Sequence, residues 1–258
     1  MEQQEHQPTL SVIIPTWNEE YWLPRLLCSL PPIREITEVI VVDNQSTDNT
    51  VAIAKQHGCK TMPGGTPGRA RNAGATIARG EILLFIDADA MINSDVVRYV
   101  KEHFSSPEVV AVHFPLCPIS SNCFSLVCYK IMDWYFWLLA NIGLSQGVGT
   151  FMAIRRAAFV DVSGFREDLL VGEDADMFRR LNSLGEVRYE RKAVVHVSTR
   201  RFTIENPLFF AMKCLVWAVL RLLGFKVSLF PYIWTRYPSF ISVREEQAAR
   251  GILISHSG

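Results

Sequence analysis

The chain has 258 residues, enough for one large α/β domain or two small ones with a substantial core. Its 26 lysines and arginines balance 26 aspartates and glutamates, so no overall field favours nucleic acid, and any anion site must be local. The six cysteines form no C-x-x-C pair, which favours free thiols in a reducing compartment. The polar start, residues 1–9, lacks a signal-peptide layout, so we expect a cytoplasmic protein.

Apolar runs of strand length alternate with helical patterns along the first half of the chain. The strand runs are LSVIIPT, EVIVVDN, CKTMP, EILLFID and VVAVHF. The helical patterns lie near residues 22–30, from STDNT to Gly58, from RARNAGATIAR to Gly80, and over SDVVRYVKEHF. Ser46 or Asp48 can cap the second helix, and Asn93 or Ser94 the fourth. The alternation predicts an α/β fold with a mostly parallel sheet flanked by helices.

Polar, acidic or glycine-rich residues follow four consecutive predicted strands. The four segments are PTWNEE, DNQSTD, PGGTPGRARNAG and DADA. Ligands of such sheets bind at the carboxyl ends of the strands. Asp87 and Asp89 are two residues apart after an apolar strand, so they can face one site and offer oxygen ligands to Mg²⁺ or Mn²⁺. A solvated loop with helix-capping acids is the alternative.

Two other strand ends suit a nucleotide. Asp43 ends an apolar strand, and its carboxylate could accept hydrogen bonds from a base or a ribose. The glycines of PGGTPGRARNAG allow close backbone approach to a phosphate, and Arg69 and Arg71 supply positive charge. A flexible loop with solvated arginines is the other interpretation. Together with the acid pair, these segments predict a site for a metal ion and a nucleoside diphosphate.

The segment SQGVGTFMAIRR and the later GEDADMFRRLNSLG supply candidates for the chemistry. Gly147 and Gly149 let the backbone pass close to a bulky group such as a sugar ring. Glu173 and Asp174 precede a predicted helix, and its dipole favours a negative charge there, as a general base requires. Helix capping explains the same two residues.

Five motifs in order carry a family resemblance: VIIPTWNE, VIVVDNQSTDNT, GRARNAG, LLFIDADA and GFREDLLVGEDADMFRRL. They resemble the family 2 glycosyltransferases of the GT-A fold over roughly residues 10–200. The resemblance implies an inverting transfer of a sugar from a nucleoside-diphosphate sugar to an acceptor, with Mn²⁺ or Mg²⁺ as cofactor. A UDP-sugar is the favoured donor, and a GDP-sugar is the second candidate.

The same resemblance implies roles for individual residues. The nucleotide-sugar site would include Pro15, Thr16, Glu19, Asp43, Arg71 and Asp87, with Gly147 near the sugar. Asp89 would bind the metal directly, with Asp87 close to the cation. Asp174, beside Glu173, would deprotonate the acceptor hydroxyl.

The sequence leaves the roles of residues after the predicted base more open. His196 could complete the metal shell or be a structural histidine. Arg200 and Arg201 are expected to meet the diphosphate. Polymerising family members have a Q-x-x-R-W sequence after the base, and this chain has none, so we expect one sugar per acceptor.

Two other functions fit part of the pattern. Nucleotidyltransferases of similar fold share the strand order and the metal. Their glycine-rich loop follows the first strand, however, whereas this first strand runs into PTWNEE. A degenerate member would bind only nucleotide or membrane, and the intact Asp87, Asp89 and Asp174 argue against it.

Two apolar segments define the remaining organisation. One is CFSLVCYKIMDWYFWLLANIGL, from Cys123, and the other is PLFFAMKCLVWAVLRLLGFKVSLFPYIW, from Pro207. Charged residues interrupt both, so they suit a membrane surface, or core packing with snorkelling lysines, better than a membrane span. We therefore expect a polar tail at 1–9, a GT-A domain at 10–200 and an apolar, helical, basic segment at 201–258. The aromatic content also suggests a lipid-linked acceptor.

Overall fold

The computed structural model describes residues 8–32, 35–119, 123–169 and 172–200. The expected C-terminal segment, with Arg201, lies outside the described residues, as does most of the expected N-terminal tail. In the described ranges, the strands are β1 (Leu10–Thr16), β2 (Glu38–Asp43), β3 (Lys60–Pro63), β4 (Ile82–Ile86), β5 (Ala90–Met91), β6 (Val109–His113), β7 (Leu116–Pro118), β8 (Phe151–Arg155), β9 (Glu186–Tyr189) and β10 (Val195–Val197). The helices are α1 (Leu23–Ser29), α2 (Thr50–Gln56), α3 (Pro67–Ile77), α4 (Ser94–Phe104), α5 (Cys123–Asn141), α6 (Arg156–Asp161) and α7 (Glu173–Leu181).

The main sheet has seven strands in the order β3-β2-β1-β4-β8-β6-β9. All neighbouring pairs are parallel except those of β8, which is antiparallel to both β4 and β6. The predicted mostly parallel sheet is therefore confirmed, and β8 is a strand that the apolar runs did not reveal. Because β8 is antiparallel, its first residues lie at the edge where β1, β2 and β4 end. The N–H of Asp87 accordingly donates to the Thr150 carbonyl at 3.0 Å.

A second sheet has three short strands in the order β5-β10-β7. Its first strand, β5, begins four residues after the end of β4, so this sheet follows directly from the same edge. β10 is antiparallel to β5, with Val197 opposite Ala90, and parallel to β7. After β10, the N–H of Ser198 donates to the Asp89 carbonyl at 3.0 Å. This pairing brings the chain from about residue 198 back over the acid pair.

Both faces of the main sheet are buried. In β4, Leu84 and Ile86 belong to one apolar cluster and Leu83 and Phe85 to the other, which explains an uninterrupted apolar run. Helix α3 lies so close to the sheet that a Cβ on Gly74 would come within 2.4 Å of Ile13 Cγ2. Two layers of helices therefore enclose the sheet, and α3 packs on it at a glycine.

The helix starts settle two predicted caps. Asn93 Oδ1 accepts the N–H of Val96 at 3.1 Å, so Asn93 rather than Ser94 caps α4. At α2 the N-cap residue is Asn49, whose side chain makes no cap bond; the predicted Asp48 lies one residue earlier, and its Oδ1 accepts the N–H of Thr50. Ser46 does not cap α2, because its hydroxyl is bonded to Asp43 instead.

Helix α5 is fixed through its one acidic residue. Asp133 is buried and accepts hydrogen bonds from Tyr189 Oη at 2.9 Å and from Arg191 Nε and Nη2 at 3.1 and 2.9 Å. Helix α5 also exposes large apolar side chains. No helix in the described part of the chain is long and apolar enough to span a membrane.

A buried histidine lies where β6, α5, α7 and β9 meet. The ring of His113 contacts the rings of Phe136, Phe178 and Tyr189, with centroids 6.0, 5.1 and 4.6 Å away. Its Nε2 is buried and has no hydrogen-bond partner among the described residues. Burial lowers the pKa of His113 from 6.5 to about 3, because the charged ring would lose its hydration there.

His113 should make the fold sensitive to acid. The folded protein keeps the ring neutral while the unfolded chain protonates it below about pH 6.5, so stability is lost as the pH falls toward 3. Between pH 6.5 and 5 we expect this group to remove about 2 kcal/mol from the free energy of unfolding. Urea unfolding at pH 6.5 and pH 5 measures this loss of unfolding free energy, which should be smaller in His113→Phe than in wild type. His57→Phe, at an exposed histidine, is the control and should keep the wild-type loss, since His113 remains.

Candidate active site

Asp43 is held at the ends of β1 and β2, which are in register at Thr16 and Asp43. Thr16 Oγ1 donates to Asp43 Oδ1 at 3.1 Å, and Ser46 donates its hydroxyl to Oδ1 at 2.5 Å and its N–H to Oδ2 at 2.9 Å. The carboxylate is thus fixed at the sheet edge by the chain's own donors. An ionised carboxylate has about four acceptor sites, so capacity remains for a ligand N–H or hydroxyl.

Glu19, Arg200 and Asp89 form a cluster across the same edge. Arg200 Nη1 and Nη2 donate to the two oxygens of Glu19 at 3.0 and 2.6 Å, and its Nε lies 3.0 Å from Asp89 Oδ2. Burial raises the pKa of Glu19 to about 7, although the Arg200 charge opposes the shift. Burial alone would lower the pKa of Arg200, but Asp89 and Glu19 raise it. Arg200 therefore ties the loop after β1 to the acid pair after β4.

Arg71 lies beneath the site and is 2% exposed. Its Nη1 donates to Glu173 Oε1 at 3.1 Å, and its Nη2 donates to Asp87 Oδ1 and to the Gly149 carbonyl, each at 3.0 Å. The sequence predicts Arg71 near the diphosphate, and this role stays a prediction; in the structure its guanidinium binds three acceptors of the protein. Burial alone would lower the pKa of Arg71, but the charges of Asp87 and Glu173 raise it.

Asp174 and Glu173 begin α7 and point to different partners. Asp174 Oδ2 accepts the N–H of Gly149 at 2.9 Å, while Glu173 binds Arg71. Gly172, in the left-handed region at φ 79°, lets the chain enter the helix there. Burial and the neighbouring Asp174 charge raise the pKa of Glu173, and Arg71 opposes the shift. Asp174 is the more exposed of the two and is the better placed to meet a ligand.

Three other expected site residues have defined positions. Pro15 lies in β1 opposite Val42, next to the strand end. A Cβ on Gly147 would come within 2.4 Å of the Phe178 ring, so contact with α7 explains this glycine, and the sugar contact stays a prediction. His196 is half-buried in β10, on the side opposite the buried Val195 and Val197.

The donor set suits a hard divalent cation only in part. Within the described ranges, no three His, Cys, Asp or Glu side chains are grouped to hold a metal ion. The ion pair with Arg200 uses Oδ2 of Asp89, so Oδ1 is available to a cation, and the Asp87 side chain is also partly exposed. Mg²⁺ commonly uses one or two carboxylates, with the remaining ligands from substrate phosphates and water. Asp89 and Asp87 fit that arrangement, and the role of His196 stays a prediction.

Two contributions to the site were missed from the sequence. Ser46 was assigned to helix capping but fixes Asp43. The Gly149 peptide, expected only to allow close approach, donates to Asp174 and accepts from Arg71. The serine could have been found from its three-residue spacing to Asp43, as in an Asx-type turn. Nothing in the sequence indicated that β8 reverses direction and brings Gly149 to this edge.

The fold and this edge define a protein of the GT-A type, and the comparison with known families gives the assignment. Residues 11–162 match the model of the family described as glycosyl transferase family 2. An uncharacterized glycosyltransferase of Mycobacterium tuberculosis is 35% identical over 172 residues, which are 63% of this chain and 77% of that protein. The chain belongs to glycosyl transferase family 2.

Further similarities concern proteins with named activities. A poly(ribitol-phosphate) beta-N-acetylglucosaminyltransferase, TarS of Staphylococcus aureus, is 38% identical over 112 residues, 37% of this chain and 19% of TarS. The crystal structure of TarS 1–349 with UDP-GlcNAc has a TM-score of 0.58 at 22% identity, covering 74% of this chain and 58% of that one. A mannosyltransferase of Pyrobaculum calidifontis with GDP-Man and Mn²⁺ has a TM-score of 0.57 at 22% identity, covering 74% and 57%. The aligned region thus spans about a fifth of TarS, and the structures support the fold.

Proposed function

We propose that this protein transfers one sugar from a nucleoside-diphosphate sugar to an acceptor hydroxyl or phosphate, with inversion at the anomeric carbon. The observation that supports it is the placement of Asp43, Asp89 and Asp174 at one sheet edge, at the ends of β2 and β4 and the start of α7. A UDP-sugar is the preferred donor and a GDP-sugar the second candidate, in line with the ligands of the TarS and Pyrobaculum structures. No Q-x-x-R-W sequence follows Asp174, which supports transfer of a single sugar.

Each acidic residue has a separate task in this proposal. Asp43 accepts hydrogen bonds from the base or ribose, and Pro15, Thr16 and Glu19 border that pocket. Asp174 takes the proton of the acceptor hydroxyl as it attacks the anomeric carbon from the side opposite the leaving nucleoside diphosphate. Arg200 and Arg201 are proposed to neutralise diphosphate oxygens.

The cation is proposed to be Mn²⁺ or Mg²⁺. When bound, it would stabilise the negative charge on the departing diphosphate. Asp89 would hold it, with Asp87 beside it and His196 as the candidate third ligand. Asp87 has one oxygen engaged by Arg71, which fixes the orientation in which it faces the pocket.

The acceptor is proposed to be lipid-linked, because α5, which packs on β7 of the small sheet, exposes an apolar surface. This surface, the α5 apolar face, exposes Val127, Ile131, Trp134, Tyr135, Trp137 and Leu138. The residues after α5 lead within ten positions to Gly149, whose N–H binds the proposed base Asp174. We propose that a bilayer lying against α5 presents its headgroups to Asp174.

The charges around the α5 apolar face favour an anionic membrane surface as its partner. The acid of α5, Asp133, is turned inward and paired with Arg191, while Lys130 is exposed. The Arg191 guanidinium also lies 5.7 Å from the centroid of the Trp137 ring. Tryptophan and tyrosine with nearby cations are typical of helices that lie in the headgroup plane. We propose peripheral contact with the cytosolic face of a membrane, to which residues 201–258 would add.

Donor binding is tested by thermal unfolding with UDP, GDP, CDP and dTDP, each with and without Mn²⁺. Ligand at about a hundred times its Kd stabilises the native state by about 2.7 kcal/mol, which should raise Tm by roughly 5–10 °C. We expect a Mn²⁺-dependent shift for UDP and its loss in Asp89→Asn. Asp95→Asn, at an exposed acid of α4, is the matched control. A shift that is equal with and without Mn²⁺ would remove the metal from the proposal.

The base is tested by Asp174→Asn, which keeps the size of the side chain but cannot accept a proton, and whose amide oxygen can accept only one of the two N–H groups, of Gly149 and Ala175, that the carboxylate binds. With the donor identified above, we expect kcat to fall by about 10²–10⁴-fold while nucleotide affinity is retained. Release of nucleoside diphosphate in the presence of polyprenyl phosphate or glycolipid acceptors measures it. Asp161→Asn, at an exposed acid at the end of α6, should behave as wild type. Equal kcat in Asp174→Asn and wild type would show that another group is the base.

Membrane contact is tested by flotation of the full chain with vesicles containing phosphatidylserine. Ile131→Glu and Trp134→Glu place a charge on side chains that are 62% and 60% exposed, so folding should tolerate them. We expect each to reduce vesicle-bound protein by about tenfold, since burying the apolar group would then also bury a charge. Val160→Glu, at a 66% exposed site on α6, is the control and should float as wild type. Unchanged flotation of both α5 variants, or a dimer that they dissociate, would refute a lipid partner for this face.

A further inference from the structure

We propose that Arg71 is a positioning residue, which holds the base Asp174 in place through the Gly149 peptide and aligns it with the donor-side acid Asp87. The inference rests on the proposed function, in which Asp174 is the general base. Arg71 acts entirely through protein groups, because its guanidinium is buried and contacts the chain on three sides. This differs from a direct role at the diphosphate.

The link from Arg71 to Asp174 passes through one residue. Arg71 Nη2 donates to the carbonyl of Gly149 at 3.0 Å, and the N–H of the same glycine donates to Asp174 Oδ2 at 2.9 Å. The peptides on both sides of the Gly149 Cα are therefore fixed by charged partners. Charge-assisted hydrogen bonds of this kind are short and directional, so the position of the Asp174 carboxylate depends on where Arg71 holds the loop.

A second link fixes the helix on which the base lies. Arg71 Nη1 donates to Glu173 Oε1 at 3.1 Å, and Glu173 is the first residue of α7, directly before Asp174. The base is thus held on its backbone side through Glu173 and on its carboxylate side through Gly149. Both restraints start from the same planar guanidinium.

The third contact connects these restraints to the donor side. Arg71 Nη2 lies 3.0 Å from Asp87 Oδ1, and Asp87 belongs to the acid pair proposed to meet the ribose and cation. One rigid group therefore sets the distance between the donor acids and the base. Proton transfer at the moment of attack requires that distance to be held closely.

Neighbouring groups fit closely around the Arg71 guanidinium. A Cβ on Gly149 would come within 2.9 Å of Arg71 Nη2, so this glycine is needed for the arginine to reach its acceptors. The buried Nε of Arg71 has no hydrogen-bond partner among the described residues, so the three acceptors hold the guanidinium, with the centroid of the Phe165 ring 5.6 Å from its central carbon. A lysine keeps the charge but has a single ammonium group, which cannot reproduce the planar fork that spans Glu173, Asp87 and Gly149.

The experiment is a double-mutant cycle in the full chain with Arg71→Lys and Asp174→Asn. We expect Arg71→Lys to lower kcat by about 100-fold, as a small displacement of a catalytic group can do, while Kd for the nucleotide with Mn²⁺ changes by less than about threefold. The double variant should have a kcat within about threefold of Asp174→Asn alone. Once residue 174 cannot accept a proton, its position no longer matters, so the second substitution should cost little. Multiplying effects would overturn the proposal. So would retained kcat with weakened nucleotide binding, which would assign Arg71 to the diphosphate.

Controls separate positioning from loss of fold and from failure of the proposed function. Arg98→Lys, at an arginine of α4 whose side chain is 55% exposed, should leave kcat unchanged. Gly149→Ala retains Arg71 and both of its acids, and it should reproduce the loss of kcat with Kd retained even if Arg71→Lys proves unstable. Wild-type kcat in Gly149→Ala would overturn the proposal. Wild-type kcat in Asp174→Asn alone would instead refute the base assignment, and the proposal with it.

Discussion

Compensation of buried negative charge is the constraint on which this structure depends. Four carboxylates, those of Glu19, Asp87, Asp89 and Glu173, gather at one edge of the sheet, and each loses hydration there. Without positive charges nearby, repulsion between carboxylates at this spacing would favour protonation of some of them or force them apart. Two arginines oppose both effects. Arg71 compensates the acids below the edge and Arg200 those above it, so the two halves of the chain are joined by ion pairs where the donor would bind.

The direction of β8 makes this arrangement possible. A parallel strand in that position would begin at the opposite edge, and the loop that precedes it would lie far from Asp174. Because β8 is antiparallel to β4, Gly149 and Thr150 stand beside Asp87 instead. Gly149, Asp174 and Arg200 thus join a site whose other parts come from the first 90 residues. The site is assembled from distant parts of the chain, which is why its coherence is not visible in any single motif.

Local sequence predicted much of the fold but less of the site. The runs that became β1, β2 and β4 are largely buried, so continuous apolar character was a sufficient signal, and Asp43, Asp87 and Asp174 follow directly from strand ends and a helix start. The partners of Arg71 could not be predicted, because the charge of an arginine does not show whether it faces a ligand or a buried acid. Ser46 shows the same limit at short range, since a serine before a helix suits both a cap and a bond to Asp43.

Gly74 shows how far the demands of the site extend into the packing. It lies one turn after Arg71 on α3, and it allows that helix to rest directly on Ile13. Any larger side chain would lift the helix from the sheet and carry the guanidinium away from its acceptors. A mutational scan would therefore score this interior glycine as an active-site position, although it touches no ligand. Whether this enzyme tolerates a substitution therefore depends on the packing of α3 against the sheet as much as on distance from the substrate.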